Sequence, residues 1–179
     1  MDKRVAKVNI SPAGGTAARG AKTCKITVPN TWMEALGISQ GQRELDIAFD
    51  GKQVVISRRL AGEEFAARRL EQGHDVRLFR FFDGDELCTT IHADITDETL
   101  AAGNHVGDPV RTAFGNCEHP TWDDFLVFLQ DRCIPMQRAG LREYLEVIGV
   151  GEYDPLQIIQ KTAGRMAEDS QWLDMESMI

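Results

Sequence analysis

The chain has 179 residues, 42% of them hydrophobic and 27% charged, with a net charge of -8. That composition excludes a disordered or fibrous chain and allows one large domain or two small ones. No apolar run approaches the ~20 residues a bilayer crossing needs, and Met1-Asp2-Lys3-Arg4 leads into an alternating segment rather than a signal-peptide core. The expected location is therefore the cytoplasm, with no membrane partner. The net charge hides a division: residues 1–59 hold ten Lys/Arg against five Asp/Glu, a net of +5, whereas residues 60–179 hold ten against 23, a net of -13. A positive head on a negative body fits a head that meets a polyanion. The four cysteines, Cys24, Cys88, Cys117 and Cys133, are widely spaced and expected to be reduced. The only close pairing, Cys117-Glu118-His119, is half a zinc site and reads as loop.

The elements follow in chain order. Lys3 to Ile10 alternates and predicts a strand. Ser11 to Gly20 is a loop of small residues. Thr23 to Val28 is a second strand, with Cys24, Ile26 and Val28 on one face and Thr23, Lys25 and Thr27 on the other. Pro29 stops it. Thr31-Trp32-Met33-Glu34 fits a capping box opening a short helix that ends at Gly37. Glu44 to Phe49 and Gln53 to Arg58 form a hairpin across Asp50-Gly51. Residues 60–73 predict a linker helix with little apolar surface. Val76 to Phe82 and Leu87 to Ile91 flank the turn Asp83-Gly84-Asp85-Glu86. Ala93 to Ala113 admits one more strand and a short helix from Pro109 to Phe114. Thr121-Trp122-Asp123-Asp124 is a second capping box, with Phe125, Leu126, Phe128 and Leu129 on the apolar side. Pro135 suits the first turn of a helix that buries Leu141, Tyr144, Leu145 and Ile148 and stops at Gly149. Asp154-Pro155 opens another, and a last short helix is expected to hold Met166, Trp172 and Leu173.

Residues 3–59 resemble the AbrB/MazE/SpoVT family of swapped-hairpin DNA-binding domains. The likeness rests on Lys25-Ile26-Thr27-Val28-Pro29, then Leu36-Gly37-Ile38, then Gly41, then the strands ending Val54-Val55-Ile56. It implies a homodimer in which each chain donates strands to one shared β-barrel. Physics agrees that some sixty residues with few large apolar side chains make a marginal core alone. The resemblance also implies a double-stranded DNA partner gripped by basic residues. Lys25 stands where the family commonly has arginine; Arg19 and Lys22 lie in the preceding loop, and Lys7 and Arg4 widen the patch. Two departures move the expectation from the helix to the loop. The first loop is longer and richer in glycine than usual, and the helix offers Trp32, Met33 and Glu34 where DNA-binding members are often basic.

The acidic body suits a basic partner surface, and the family often joins such a head to a tail that blocks a toxin protein. Tyr153 to Ile159, with Gly164 to Asp169 and Trp172, is similar to C-terminal regions of uncharacterised clostridial mobile-element proteins, a likeness that places a HipA-like kinase among the candidate toxins. Enzyme chemistry has little support. His92 and Asp94 share a strand face but lack a nucleophile or a metal trio, and Asp123-Asp124 reads as a helix start. Arg132, Arg138, Arg142 and Arg165 could form a phosphate-binding face, though nearby acids favour ion pairing. Trp122, Phe125, Phe128 and Trp172 read as core.

The expected protein is thus α+β: a dimeric swapped-hairpin head over 1–59, a linker helix over 60–73, and an acidic partner-binding domain over 74–179. No catalytic residue, metal or cofactor is expected. The expected function is a DNA-binding transcriptional regulator, the antitoxin of a toxin–antitoxin pair. The alternatives are a regulator without a toxin, whose tail oligomerises or senses a ligand, and an enzyme or inhibitor that uses the head only to dimerise.

Overall fold

A computed structural model of the chain describes residues 2–16 and 18–178. The architecture is α+β, in two units, Met1–Arg59 and Leu60–Ile179.

The first unit is two separate antiparallel hairpins and one short helix. Strands β1 (Val8–Pro12) and β2 (Lys22–Ile26) pair in the first hairpin; β3 (Leu45–Phe49) and β4 (Val54–Arg58) pair in the second. The Asp50 carboxylate closes the second turn by accepting from the Lys52 and Gln53 amides, both at 2.8 Å, the local bonding that makes Asp a turn residue. Those two bonds hold the Asp50 carboxyl below the usual carboxylate range. Helix α1 (Asn30–Ala35) begins one residue before the expected capping box. Pro29 takes the N-cap position, so no side chain caps the helix there, and the Asn30 amide bonds Glu34 instead. Its end is as expected: Gly37 has φ +74°, and the Ile38 amide donates to Met33 O at 2.9 Å.

None of the described residues of 2–59 is buried. Ile47 and Phe49 are 68% and 70% exposed, and Val8, Ile10, Ile26, Val54 and Ile56 are exposed beside them. Alternation puts Val8, Ile10 and Ile26 on one face of the first hairpin, and Ile47, Phe49, Val54 and Ile56 on one face of the second. Each hairpin therefore presents an apolar face that nothing in its own unit covers.

The second unit has a conventional core. Strands β5 (Val76–Asp83), β6 (Glu86–Asp94), β7 (Thr99–Asn104) and β8 (Gln171–Met178) make one antiparallel sheet in the order β7-β6-β5-β8. Phe79, Phe81, Ile91, Ala93 and Leu173 point from one face into the core. Helix α3 (Trp122–Asp131) packs there through Phe125 and Phe128, which meet Phe79 and Phe81 edge to face, both at 5.2 Å between ring centroids. Helices α4 (Leu141–Ile148) and α5 (Pro155–Thr162) supply Leu145, Ile158 and Ile159 to the same core. The Thr121 capping box forms as expected, with reciprocal bonds between Thr121 and Asp124, and Asp154 caps α5 through the Leu156 amide at 2.9 Å.

Helix α2 (Gly62–Glu71) covers the opposite sheet face. The helix expected as a linker thus buries Phe65 and all of Ala66, and Arg69 reaches Asp94 and Thr99 on the sheet. The strand and short helix expected after Ala93 are β7 and a 3-10 turn at Pro109–Arg111. Two other expectations are corrected. Pro135 precedes α4 by a turn rather than opening it. The last expected helix is instead the strand β8, whose Asp174 and Glu176 are matched by Arg80 on β5 at 2.7 and 2.8 Å.

Gly164 fixes the turn that leads to β8. Its φ is +58°, and a Cβ there would lie 2.9 Å from Ile159 Cδ1, 3.2 Å from Arg132 Cβ and 3.3 Å from Leu173 Cδ1. Gly164→Ala is expected to destabilise this unit by about 2–4 kcal/mol, left-handed backbone and overpacking together. Gly140→Ala, at φ +80° but with open space around the new Cβ, is expected to cost only the backbone part, about 1–2 kcal/mol. Urea denaturation of the two variants separates the terms.

Candidate nucleic-acid interface

Six of the ten basic residues of the first unit lie in the first hairpin, its loop or the segment leading into it; Arg43, Lys52, Arg58 and Arg59 lie in or beside the second hairpin. In the β1–β2 register Lys25 stands opposite Asn9, and Thr23 opposite Ser11. Alternation places these four side chains together, on the face away from Val8, Ile10, Cys24 and Ile26. One hairpin is thus polar and cationic on one side and apolar on the other. Lys22 closes the pairing opposite Pro12, where the strands open into the loop. Lys7 lies one residue before β1, with Arg4 upstream of it.

Arg19 is in the connecting loop. The loop is pinched at its base by the Ala13 amide donating to Ala21 O at 2.8 Å, and tightened by Ala21 N to Ala18 O at 2.9 Å. Ala17 lies outside the described residues. The pinch sets Arg19 and Lys22 at the same end of the hairpin, with Lys25 midway along its polar face. Lys7, Arg19, Lys22 and Lys25 are all exposed. None makes an ion pair or side-chain hydrogen bond with another described residue, so each can meet a phosphate without first breaking a bond. Helix α1 contributes Glu34 and no base, in keeping with an interface centred on the loop.

The remaining candidates lie in the second unit, and most are committed to the fold. Asp94 is fully buried, and its partner is His74, at 2.8 Å, not its strand neighbour His92. Arg69 lies 3.3 Å from Asp94 and 2.9 Å from Asp97. The second Asp94 oxygen accepts from the Thr96 and Asp97 amides at 3.0 and 3.2 Å. His74, Asp94 and Asp97 are close enough together to hold a cation, but the Arg69 guanidinium already supplies positive charge to both carboxylates. The trio is an ion-pair network that ties α2 to β6. His92 is buried with its Nδ1 unpartnered, and burial pushes its pKa below the ordinary value. A neutral imidazole without an orienting carboxylate is not poised as a base. Cys133, buried under α5, has its thiol pushed up to about 12 by desolvation, and burial also raises Cys88; neither is a ready nucleophile. Trp122, Phe125 and Phe128 pack in or against the core, whereas Trp172 stacks on Phe82 at 4.4 Å with its indole N–H donating to Gly84 O.

Of the four arginines whose nearby acids favour ion pairing over a phosphate-binding face, Arg132 and Arg142 are ion-paired, to Asp169 at 2.6 Å and Glu146 at 3.3 Å. Arg138 and Arg165 are not. Arg142 finds Glu146 four residues along its own helix, whereas the partner of Arg132 comes from 37 residues away.

No protein family, curated protein or solved structure matches the chain.

Proposed function

We propose that the protein is a homodimeric DNA-binding transcriptional regulator of the cytoplasm, and the antitoxin of a toxin–antitoxin pair. In this reading two copies of residues 1–59 exchange hairpins into one swapped β-barrel. The cationic loop and polar face of each first hairpin then grip double-stranded DNA, and the acidic second unit holds a partner protein. The work is binding, not chemistry.

One observation carries the reading: a basic unit with no buried side chain among its described residues has two hairpins with bare apolar faces. Apolar surface of this extent is unfavourable in water and calls for a cover. A second copy offers the same faces, and joining them doubles a core too small to stand alone. Lys25 lies on the opposite face of the first hairpin and Arg19 in its loop, away from such a cover. The net charge of -13 on residues 60–179 supports a basic protein partner rather than a second nucleic-acid surface.

Arg19→Ala with Lys25→Ala tests the interface. Binding to a duplex carrying the gene's own upstream region is expected to weaken with the fold intact. The slope of log K against log salt is expected to flatten by about 0.9 for each phosphate no longer neutralised. Unchanged binding and slope would remove these residues from the interface. A monomeric native mass would remove the dimer, and failure to co-purify with the neighbouring gene's product would remove the antitoxin role.

A further inference from the structure

We propose that the second unit carries a binding site for a small organic oxyanion, a molecule with a carboxylate or phosphate group on an apolar frame. The site is a cleft of about 400 Å³ between the α3–α4 connection and the turn that follows α5. It lies wholly within the second unit and does not depend on how the first meets DNA.

The cations come first. The second unit has ten Lys/Arg against 23 Asp/Glu, so an arginine there has acids in plenty to pair with. Arg69, Arg77, Arg80, Arg111, Arg132 and Arg142 all do. Arg68, Arg138 and Arg165 reach no carboxylate among the described residues, and the last two line this one cleft. Two unmatched guanidiniums at a single concavity of a strongly acidic unit leave local positive charge where the average is negative. Glu168 is the one carboxylate on the wall.

The wall is also held in shape. Buried Arg132 forms the back of the cleft. It donates to Gly164 O at 2.8 Å, to Gln171 O at 2.8 Å, and to both oxygens of Asp169 at 2.6 and 3.0 Å. These bonds fix both ends of the segment that carries Arg165. The Arg165 guanidinium lies over the Trp172 ring, 4.7 Å from its centroid, and Trp172 is itself stacked on Phe82. A guanidinium resting on an indole face keeps its in-plane N–H groups free, the arrangement that meets an oxyanion with two parallel hydrogen bonds.

The rest of the lining sets the class of ligand. Tyr144 adds a hydroxyl, while Ile134, Pro135 and Met166 offer apolar surface; the Thr162 hydroxyl, also on the wall, is held by Ile158 O. Few convergent polar groups among apolar ones is the make-up of small-molecule sites, and here the polar groups select for negative charge.

Calorimetric titration of the full chain with phenyl phosphate, benzoate and neutral benzamide tests the site. Saturable binding of at least one of the two anions, and not of benzamide, is expected. Arg138→Ala and Arg165→Ala are each expected to weaken it by about tenfold, the effect of removing one charge-assisted hydrogen-bonding group. Arg142→Ala, exposed and paired to Glu146 elsewhere, is expected to leave it unchanged. A measurement on the unaltered chain stands beside the variants. The bound anion is expected to shield Arg138 and Arg165, but not Arg142, from phenylglyoxal, read by mass spectrometry. No saturation by either anion at millimolar concentration, equal binding of benzamide, an equal weakening in Arg142→Ala, or no shielding would each overturn the proposal.

Discussion

Arg132→Ala is expected to destabilise the second unit by about 3–5 kcal/mol, the range for breaking one side of a buried ion pair. The side chain is only 8% exposed and bonds Gly164 O, Gln171 O and Asp169 at once. Alanine would leave the Gly164 carbonyl, which sits on a buried residue, without its donors. It would also open space beside Ile159 and Leu173, whose methyl groups crowd the same glycine. The turn into β8 loses its anchor, so the edge strand is expected to fray first. Earlier hydrogen exchange on β8 than on β6, with a lower urea midpoint, is the measurement. Acid should act on the same anchor. Hydrogen bonds from Arg132 hold the Asp169 carboxyl below the usual carboxylate range. Its folded pKa therefore lies below its unfolded one. The contribution is complete above the unfolded value of about 3.9 and fades as pH falls through the lowered folded value. Half-exposed as this carboxylate is, the pH effect should be much smaller than that of the substitution.

On the proposed swapped-hairpin dimer, Phe49→Asp is expected to leave a monomer that no longer binds DNA. Phe49 sits with Ile47, Val54 and Ile56 on the bare face of the second hairpin and is 70% exposed within one chain. Only if a second copy covers that face does a carboxylate there meet an apolar environment, at a cost of several kcal/mol. Asp46→Ala, on the other face of the same strand, should leave the assembly intact. Sedimentation of both variants decides the matter: a chain that stays dimeric with Asp at 49 has its interface elsewhere. Thermal unfolding of the second unit should not change in either variant, since its core draws on none of these residues.

Where a residue's role is set by near neighbours in the chain, it is legible in the sequence. The Asp50-Gly51 hairpin, the Thr121 capping box and the Asp154 cap all rest on a side chain bonding backbone two or three positions away. The division of charge at residue 59 needs only counting, and so does the basic patch. What the sequence hides depends on distant partners. β8 carries Asp174 and Glu176, poor strand formers on their own; Arg80, some ninety residues earlier, supplies their counter-charge. Asp94 looks like a partner for His92 because two positions along a strand share a face. The fold brings His74 instead, from the turn before β5. Helix α1 starts earlier than its residue types suggest because Pro29 holds the cap position that Thr31 seems to claim. The anion cleft is half visible. Arg142 and Glu146 are legible as a pair one helical turn apart, but only folding brings Asp169 to Arg132 and sets Arg138 beside Arg165.

The pairing of β5 with β8 has a consequence for how this protein is made. Asp83 meets Gln171 and Val76 meets Met178, so the inner strand of the sheet emerges from the ribosome long before its neighbour exists. At about 5–20 residues per second, β5 waits several seconds with one edge open. During that time Phe79 and Phe81 lack Leu173 beside them, and a chain of this kind is open to capture by chaperones or proteases. A cell could set the amount of this protein through that interval, by what reaches the unfinished sheet first.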